Sequence, residues 1–239
     1  RAAFAWCRER SHTDLALALA SSLEPLWLTR GRLQEGLNWL DAALGDAGED
    51  AHAGPSARAL VSRTLLLAFL AGAYIAMGGL FSLMAGFGFP GVAEAPGLQR
   101  LLSGLVFPLG LILVVFAGAE LFTGNNAVLV PGALGRRYGW GKVLRNWGLV
   151  YAGNFIGAAF FAYFLVVLPG VLSSELWREA ACNVAQAKVS MPWLTVFLRG
   201  VGANWLVCLA VWLGLSTDDA AGRMMGLFFP VMCFVVIGY

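Results

Sequence analysis

The stretch GAELFTGNNAVLV, residues 118–130, sets an acid, a hydroxyl and two amides inside an otherwise apolar run. Glu120, Thr123, Asn125 and Asn126 thus offer hydrogen-bond donors and acceptors within about two helical turns. Two further polar side chains stand near or within apolar runs, Lys188 and Asn204. An unpaired polar group at membrane depth costs several kcal/mol, so such groups survive where they meet one another, freed backbone or a passing solute. Attraction and hydrogen bonding of a small polar or charged solute is the chemistry these residue types support. Covalent chemistry lacks its parts. The two histidines, His12 and His52, lie in the polar N-terminal segment, and Cys7, Cys182, Cys208 and Cys233 show no paired spacing. Cys208 and Cys233 fall in apolar runs, where a thiol is by default a small hydrophobe. No Ser/His/Asp, Cys/His or metal-ligand cluster occurs in the apolar part, so no enzyme activity, cofactor or metal site is expected. Glycine-rich stretches follow no strand, which removes the context for a nucleotide-binding turn. The net charge of +2 gives no reason for a nucleic-acid partner, and none is expected.

Those polar residues must be positioned by elements that cross a bilayer. The chain is 59% hydrophobic and 13% charged, against about 25% charged in soluble proteins. Nearly half of the charges fall within residues 1–58. Charge-free stretches run from Thr64 to Ala93, Leu101 to Ala119, Asn146 to Ser174 and Gly200 to Thr217. Each approaches or exceeds the ~18–20 residues that span a bilayer as helix. The expected apolar segments are 60–87, 99–119, 127–135, 146–172 and 193–215, with a sixth starting near Met224. The third is too short to cross alone. It is therefore read with the second as one helix interrupted around 121–126, its loop N–H groups turned inward and Glu120 accepting from them. A lipid-facing carboxylate would cost about 2.5–3.5 kcal/mol. Discontinuous helices of this kind present free backbone groups and helix ends to transported solutes.

Arg136, Arg137, Lys142 and Arg145 crowd one loop with no acid among them, whereas Glu175, Arg178, Glu179 and Lys188 sum to zero in the next. The Lys/Arg bias puts the N-terminus and the 136–145 loop in the cytoplasm. Residues 1–55 read as a soluble helical hairpin and linker, built from LALALASSLEPLWL (15–28) and LQEGLNWLDAAL (33–44). A single hairpin of this type cannot bury its own face. The stretch PLWLTRGRLQEGLNWLDAAL resembles one unit of the tetratricopeptide-like repeats of LuxR-type regulators. The chain begins at Arg1 and stops at Tyr239 inside an apolar run, so both ends are expected to be interior positions of a longer sequence.

From about Ser56 to Tyr239 the motifs AELFTGNN, the preceding FPLGL (107–111), NVAQAKV (183–189) and GANWLVCLAVWL (202–213) resemble the formate/nitrite transporter family, in order and spacing. The resemblance implies an all-α, aquaporin-like bundle with broken second and fifth helices, incomplete here. It also implies a homopentamer in the bacterial inner membrane with one pore per protomer for small monovalent anions or their acids. Leu121, Phe122 and Thr123 would lie in the loop of the second helix, the threonine facing the pore. Asn125 beside it is a second pore candidate. Phe107, Leu111 and Phe234 would join Leu121 and Phe122 in apolar constrictions, and Lys188 would stand in the outer vestibule with Asn204 deeper in the pore. Read from the residues alone, Lys188 is equally a snorkelling interfacial lysine and Asn204 equally interhelical glue. Family members continue past Gly-Tyr to a Glu-His pair whose histidine handles protons, and the present chain stops before it. Gly153 and Gly157 form a GxxxG, and Ala68, Gly72 and Ala76 a small-residue row, suited to close helix packing within or between protomers. The competing reading is a membrane-anchored regulatory protein with a helical-repeat sensor arm.

Overall fold

The computed structural model describes residues 2–10, 12, 15, 16, 19, 55–89 and 91–239, with the backbone alone at 55–60 and 93. The hairpin expected from residues 15–28 and 33–44 falls almost entirely outside these. The chain forms two compact units, Arg1–Leu66 and Leu67–Tyr239. In the first unit, α1 (Ala2–Glu9) buries Phe4 and Cys7. The Trp6 ring stacks on His12 at 5.5 Å, and the Arg10 guanidinium lies 5.3 Å from its centroid.

The remaining described structure is helical, and five helices are long and apolar enough to cross a membrane: Val61–Phe87, Pro96–Phe116, Trp140–Val167, Trp193–Leu215 and Ala220–Ile237. The first belongs to α2 (Pro55–Phe87), which is apolar on every side after Arg63, the pattern of a helix surrounded by protein and lipid. α3 (Pro96–Val106) and α4 (Leu109–Phe116) form one span bent at Pro108. Proline has no N–H for the helix ladder, and its ring crowds the preceding turn.

α4 ends at Gly118, whose φ of 64° is open to glycine at little steric cost. The Ala119 N–H reaches back to the Val114 carbonyl at 2.9 Å, closing a left-handed glycine cap. The chain then runs non-helically to Leu121 before α5 (Phe122–Leu134) begins. The helix is thus interrupted, but over 117–121 rather than 121–126. Thr123, Asn125 and Asn126 belong to the first turns of α5, because the two amides find side-chain partners without unwinding the backbone. α6 (Trp140–Phe160) finishes in a π-helical stretch, Phe161–Val167.

The expected neutral loop holds a helix of its own, α7 (Glu175–Val189). Good helix formers in AACNVAQAKV favour it, and Trp177, Ala180, Ala181 and Val184 recur at helical spacing as its less exposed face. α8 (Trp193–Leu215) and α9 (Ala220–Ile237) form the most extensive helix pair, and α9 also packs on α3 and α4. Asp219 caps α9 by accepting from the Gly222 N–H at 2.6 Å. α9 ends as α4 does. Gly238 has φ 88°, and the Tyr239 N–H donates to the Phe234 carbonyl at 3.0 Å.

Ala71, Leu111, Val114, Val207, Ala210, Leu227 and Val231 form the core where α2, α4, α8 and α9 meet. α2 and α6 approach so closely that a Cβ on Gly72 would strike the Asn154 carbonyl, and one on Gly157 the Phe69 carbonyl. The GxxxG glycine at 157 therefore serves packing within the chain. Large apolar side chains remain exposed along α6 and α8, among them Phe155, Trp205 and Trp212. Such faces suit lipid or a neighbouring protein rather than water.

Candidate functional site

The interruption leaves backbone groups at Glu120–Phe122 without helical partners, and one side chain of α6 satisfies them. The Phe122 N–H donates to Asn154 Oδ1 at 2.9 Å. Asn154 Nδ2 donates in turn to the carbonyls of Glu120 and Ala68, both at 2.8 Å. Asn154 thereby ties α2, the break and α6 together. The Glu120 N–H completes the set by donating to the Leu67 carbonyl at 3.3 Å.

The adjacent amides of α5 point to different neighbours, as consecutive helical residues must. Asn125 Nδ2 donates to Glu120 Oε2 at 2.7 Å and to Asn146 Oδ1 of α6 at 2.9 Å. Asn126 Nδ2 donates to Asn204 Oδ1 of α8 at 3.2 Å. Asn204 Nδ2 lies 3.5 Å from Cys208 Sγ, and the Cys208 thiol donates to the Thr123 carbonyl at 3.7 Å. Glu120 is thus an acceptor, from a side-chain amide rather than from loop N–H groups. The Thr123 hydroxyl makes no hydrogen bond among the described residues, and Asn126 Oδ1 is buried without a partner. Buried polar atoms are normally paired, so Asn126 Oδ1 has hydrogen-bonding capacity to spare, as does the hydroxyl of half-buried Thr123.

Beside this polar set lies an apolar one. The rings of Phe107 and Phe234 meet edge to face, 5.4 Å apart at 84°. Leu111 is buried beneath them at 2% exposure, and Leu121 packs on the same cluster. Phe122 is set apart from them. Its ring lies against Trp147 at 5.9 Å and Tyr151 at 5.6 Å, both on α6. Asn125 sits with Glu120 and Asn146, while Asn126 is the amide that reaches Asn204. Lys188 occupies the exposed last turn of α7 and makes no hydrogen bond or ion pair among the described residues. Sequence reasoning did not single out Asn146 or Asn154. Their i, i+8 spacing in a charge-free segment was the available signal of a polar line along an apolar helix. Among the described residues no group of three His, Cys, Asp or Glu comes together that could hold a metal ion.

An interrupted spanning helix with polar groups on one side and an aromatic cluster on the other defines a multi-pass membrane transport protein. The model for the formate/nitrite transporter family matches residues 50–239. The chain belongs to the formate/nitrite transporter family. It is 41% identical over 196 residues to a probable formate transporter of Methanothermobacter thermautotrophicus, covering 76% of this chain and 72% of the relative. It is 37% identical over 175 residues to the formate channel BtFdhC of Bacillus thuringiensis, covering 73% of this chain and 66% of that one. Among solved structures, a pentameric formate channel with formate bound superposes with a TM-score of 0.69 at 32% identity. It covers 77% of this chain and 71% of its own. The family match begins at residue 50, and the resemblance of residues 1–50 to LuxR-type regulators is not borne out. The regulatory reading likewise finds no support.

Proposed function

We propose that the chain lines a path for a small monovalent anion or its weak acid, formate, nitrite or a similar species. The observation that carries this is the pairing of Phe107 and Phe234 over Leu111 and Leu121, beside the helix interruption. Such a cluster forms a dry barrier, and Thr123 and Asn204 supply the polar contacts flanking it. Asn125 and Glu120 hold the break in shape, and Phe122 anchors it to α6. Lys188, exposed and unpaired among the described residues, attracts anions at the entrance. A bare anion in an apolar constriction is strongly disfavoured, whereas its neutral acid loses far less on leaving water. A proton therefore joins the anion before the barrier, and transport is coupled to protons. The exposed apolar faces of α6 and α8 suit assembly into a homo-oligomer, a pentamer like the solved relative. The protein sits in a bacterial inner membrane with its N-terminus and the 136–145 loop cytoplasmic. Residues 1–55 are a soluble arm, and 56–239 the transmembrane domain.

The test is uptake of labelled formate and nitrite into proteoliposomes carrying the protein, with external pH varied between about 5 and 8. Uptake should exceed that of empty vesicles and rise as pH falls. Uptake no greater than in empty vesicles at every pH would overturn the transport reading. A measurable but flat profile would overturn only the proton coupling.

A further inference from the structure

The corner between α5 and α6 carries chemistry that the proposed path does not use. From Leu121 to Ser174 the chain holds the cations Arg136, Arg137, Lys142 and Arg145 and no acid. None of the four makes a salt bridge among the described residues. Ala133, Leu134, Arg136, Tyr138, Gly139 and Trp140 line an open cavity of about 450 Å³ at this corner. Its lining has two characters. Leu134 and Trp140 present apolar surface, 69% and 47% exposed, while Arg136 presents a guanidinium.

The frame of the cavity is fixed. The Tyr138 hydroxyl donates to the Leu129 carbonyl at 2.7 Å, and its ring lies against Gly132. Arg136 is held at φ 57°, and its N–H donates to the Ala133 carbonyl at 3.1 Å. Left-handed backbone is uncommon for a non-glycine residue. The membrane-crossing stretch of α6 begins at Trp140 itself. The cavity therefore opens at the depth where tryptophans sit among lipid headgroups and the first acyl carbons.

We propose that this corner binds the headgroup of an anionic phospholipid. Arg136 pairs with the phosphodiester, a planar donor fork meeting tetrahedral oxygens. Trp140 and Leu134 flank the glycerol and upper acyl carbons, and Arg137, Lys142 and Arg145 supply the surrounding field. Three features favour this occupant. A free phosphate would use Arg136 but leave the apolar lining uncovered. A zwitterionic lipid would bring an ammonium toward four cations with no acid to receive it. An anionic lipid matches both linings at a depth that lipid already occupies. The site does not depend on which solute the protein carries, or on which leaflet the corner faces.

The test titrates the full-length protein in neutral detergent with dioctanoyl phosphatidylglycerol, dioctanoyl phosphatidylcholine and inorganic phosphate, counting bound lipid by native mass spectrometry. Phosphatidylglycerol should bind about tenfold more tightly than phosphatidylcholine, and equimolar inorganic phosphate should not displace it. Arg136→Asn keeps a residue type that tolerates left-handed backbone and should weaken phosphatidylglycerol about fivefold. Arg136→Lys should restore most of that affinity and so separate charge from fold. Arg137→Gln removes the same charge from a residue outside the cavity lining and should weaken binding less than about twofold. Equal losses at 136 and 137 would reduce the effect to diffuse attraction and overturn the site. Equal binding of phosphatidylcholine would overturn it too. Displacement by inorganic phosphate would make it a soluble-anion site and overturn the lipid assignment.

Discussion

Asn154 accepts one hydrogen bond and donates two, and every partner is backbone from another element. Its replacement by leucine would leave the Phe122 N–H and the Glu120 carbonyl unpaired in a dry interior and remove the tie to the Ala68 carbonyl of α2. With about 0.6–1 kcal/mol per bond inside membrane proteins, Asn154→Leu should destabilise by roughly 2–3 kcal/mol. Asn154→Asp retains the acceptor for Phe122 but sets a carboxylate oxygen against the Ala68 and Glu120 carbonyls, so it should destabilise at least as much as leucine. Thermal unfolding in detergent would rank the three, and equal midpoints would deny Asn154 its role as a clamp. A second comparison separates two aromatics. Phe234→Ala opens the cluster with Phe107 and should flatten the pH dependence of uptake, since an anion could then cross unprotonated. Phe122→Ala removes packing against Trp147 and Tyr151 and should lower stability while leaving the pH profile steep. The reverse pattern would exchange their roles. The types and positions of Glu120, Thr123 and Asn204 were legible in the sequence, because polar groups in apolar runs stand out. Their partners were not. Asn154 in a spanning segment looks like any interhelical amide until the backbone it serves is located.

At the scale of elements, the expected span 193–215 coincides with α8, and the four charge-free stretches all fall largely on spanning helices, since long apolar runs leave few alternatives. The interruption was legible as an event and misplaced by a few residues. Thr123, Asn125 and Asn126 drew the expected break toward themselves, yet the helix stops near Gly118 and the two amides bond outward from an intact α5. α7 escaped notice because its segment was read by charge balance rather than by helix propensity. The crossing of α2 and α6 yields its own prediction. Gly157→Ala places a methyl against the Phe69 carbonyl, which cannot rotate away as a side chain could. The two helices must part, at roughly 1–3 kcal/mol, and the nearby Asn154–Ala68 bond would stretch. Gly148→Ala on the same helix meets nothing within 4 Å and should be neutral or stabilising. Unfolding midpoints that fall equally for both would locate the effect in the helix backbone rather than at the crossing.

At the scale of the whole molecule, the two units differ in kind: an N-terminal segment rich in charge and a membrane segment with long charge-free runs. Composition put the change of character near residue 55, whereas the compact units divide at Leu66, and the arm's proposed ancestry rested on one short stretch and did not hold. The field of the molecule supplies a further prediction. If Lys188 concentrates anions, Lys188→Ala should reduce uptake more at low than at high ionic strength, because exposed charges are screened within about 10 Å at 0.1 M salt. The ratio of parent to variant uptake should fall toward unity as salt rises. A ratio that holds constant across salt would make Lys188 an interfacial anchor.

The three-way tie at Asn154 also imposes an order in time. The ribosome adds residues from the N-terminus onward, so Phe122 enters the chain 32 residues before the side chain that receives its N–H. While α2 to α5 leave the insertion machinery, the carbonyl of Glu120 and the amide of Phe122 have no built-in partner. Lipid offers them none. They must stay in the aqueous protein-lined passage, or be shielded by an assisting factor, until α6 arrives to close the bonds. Nascent chains arrested before Asn154 emerges should therefore crosslink to the insertion machinery, and chains arrested well beyond it to lipid. The third crossing is the step that releases the first two into the bilayer.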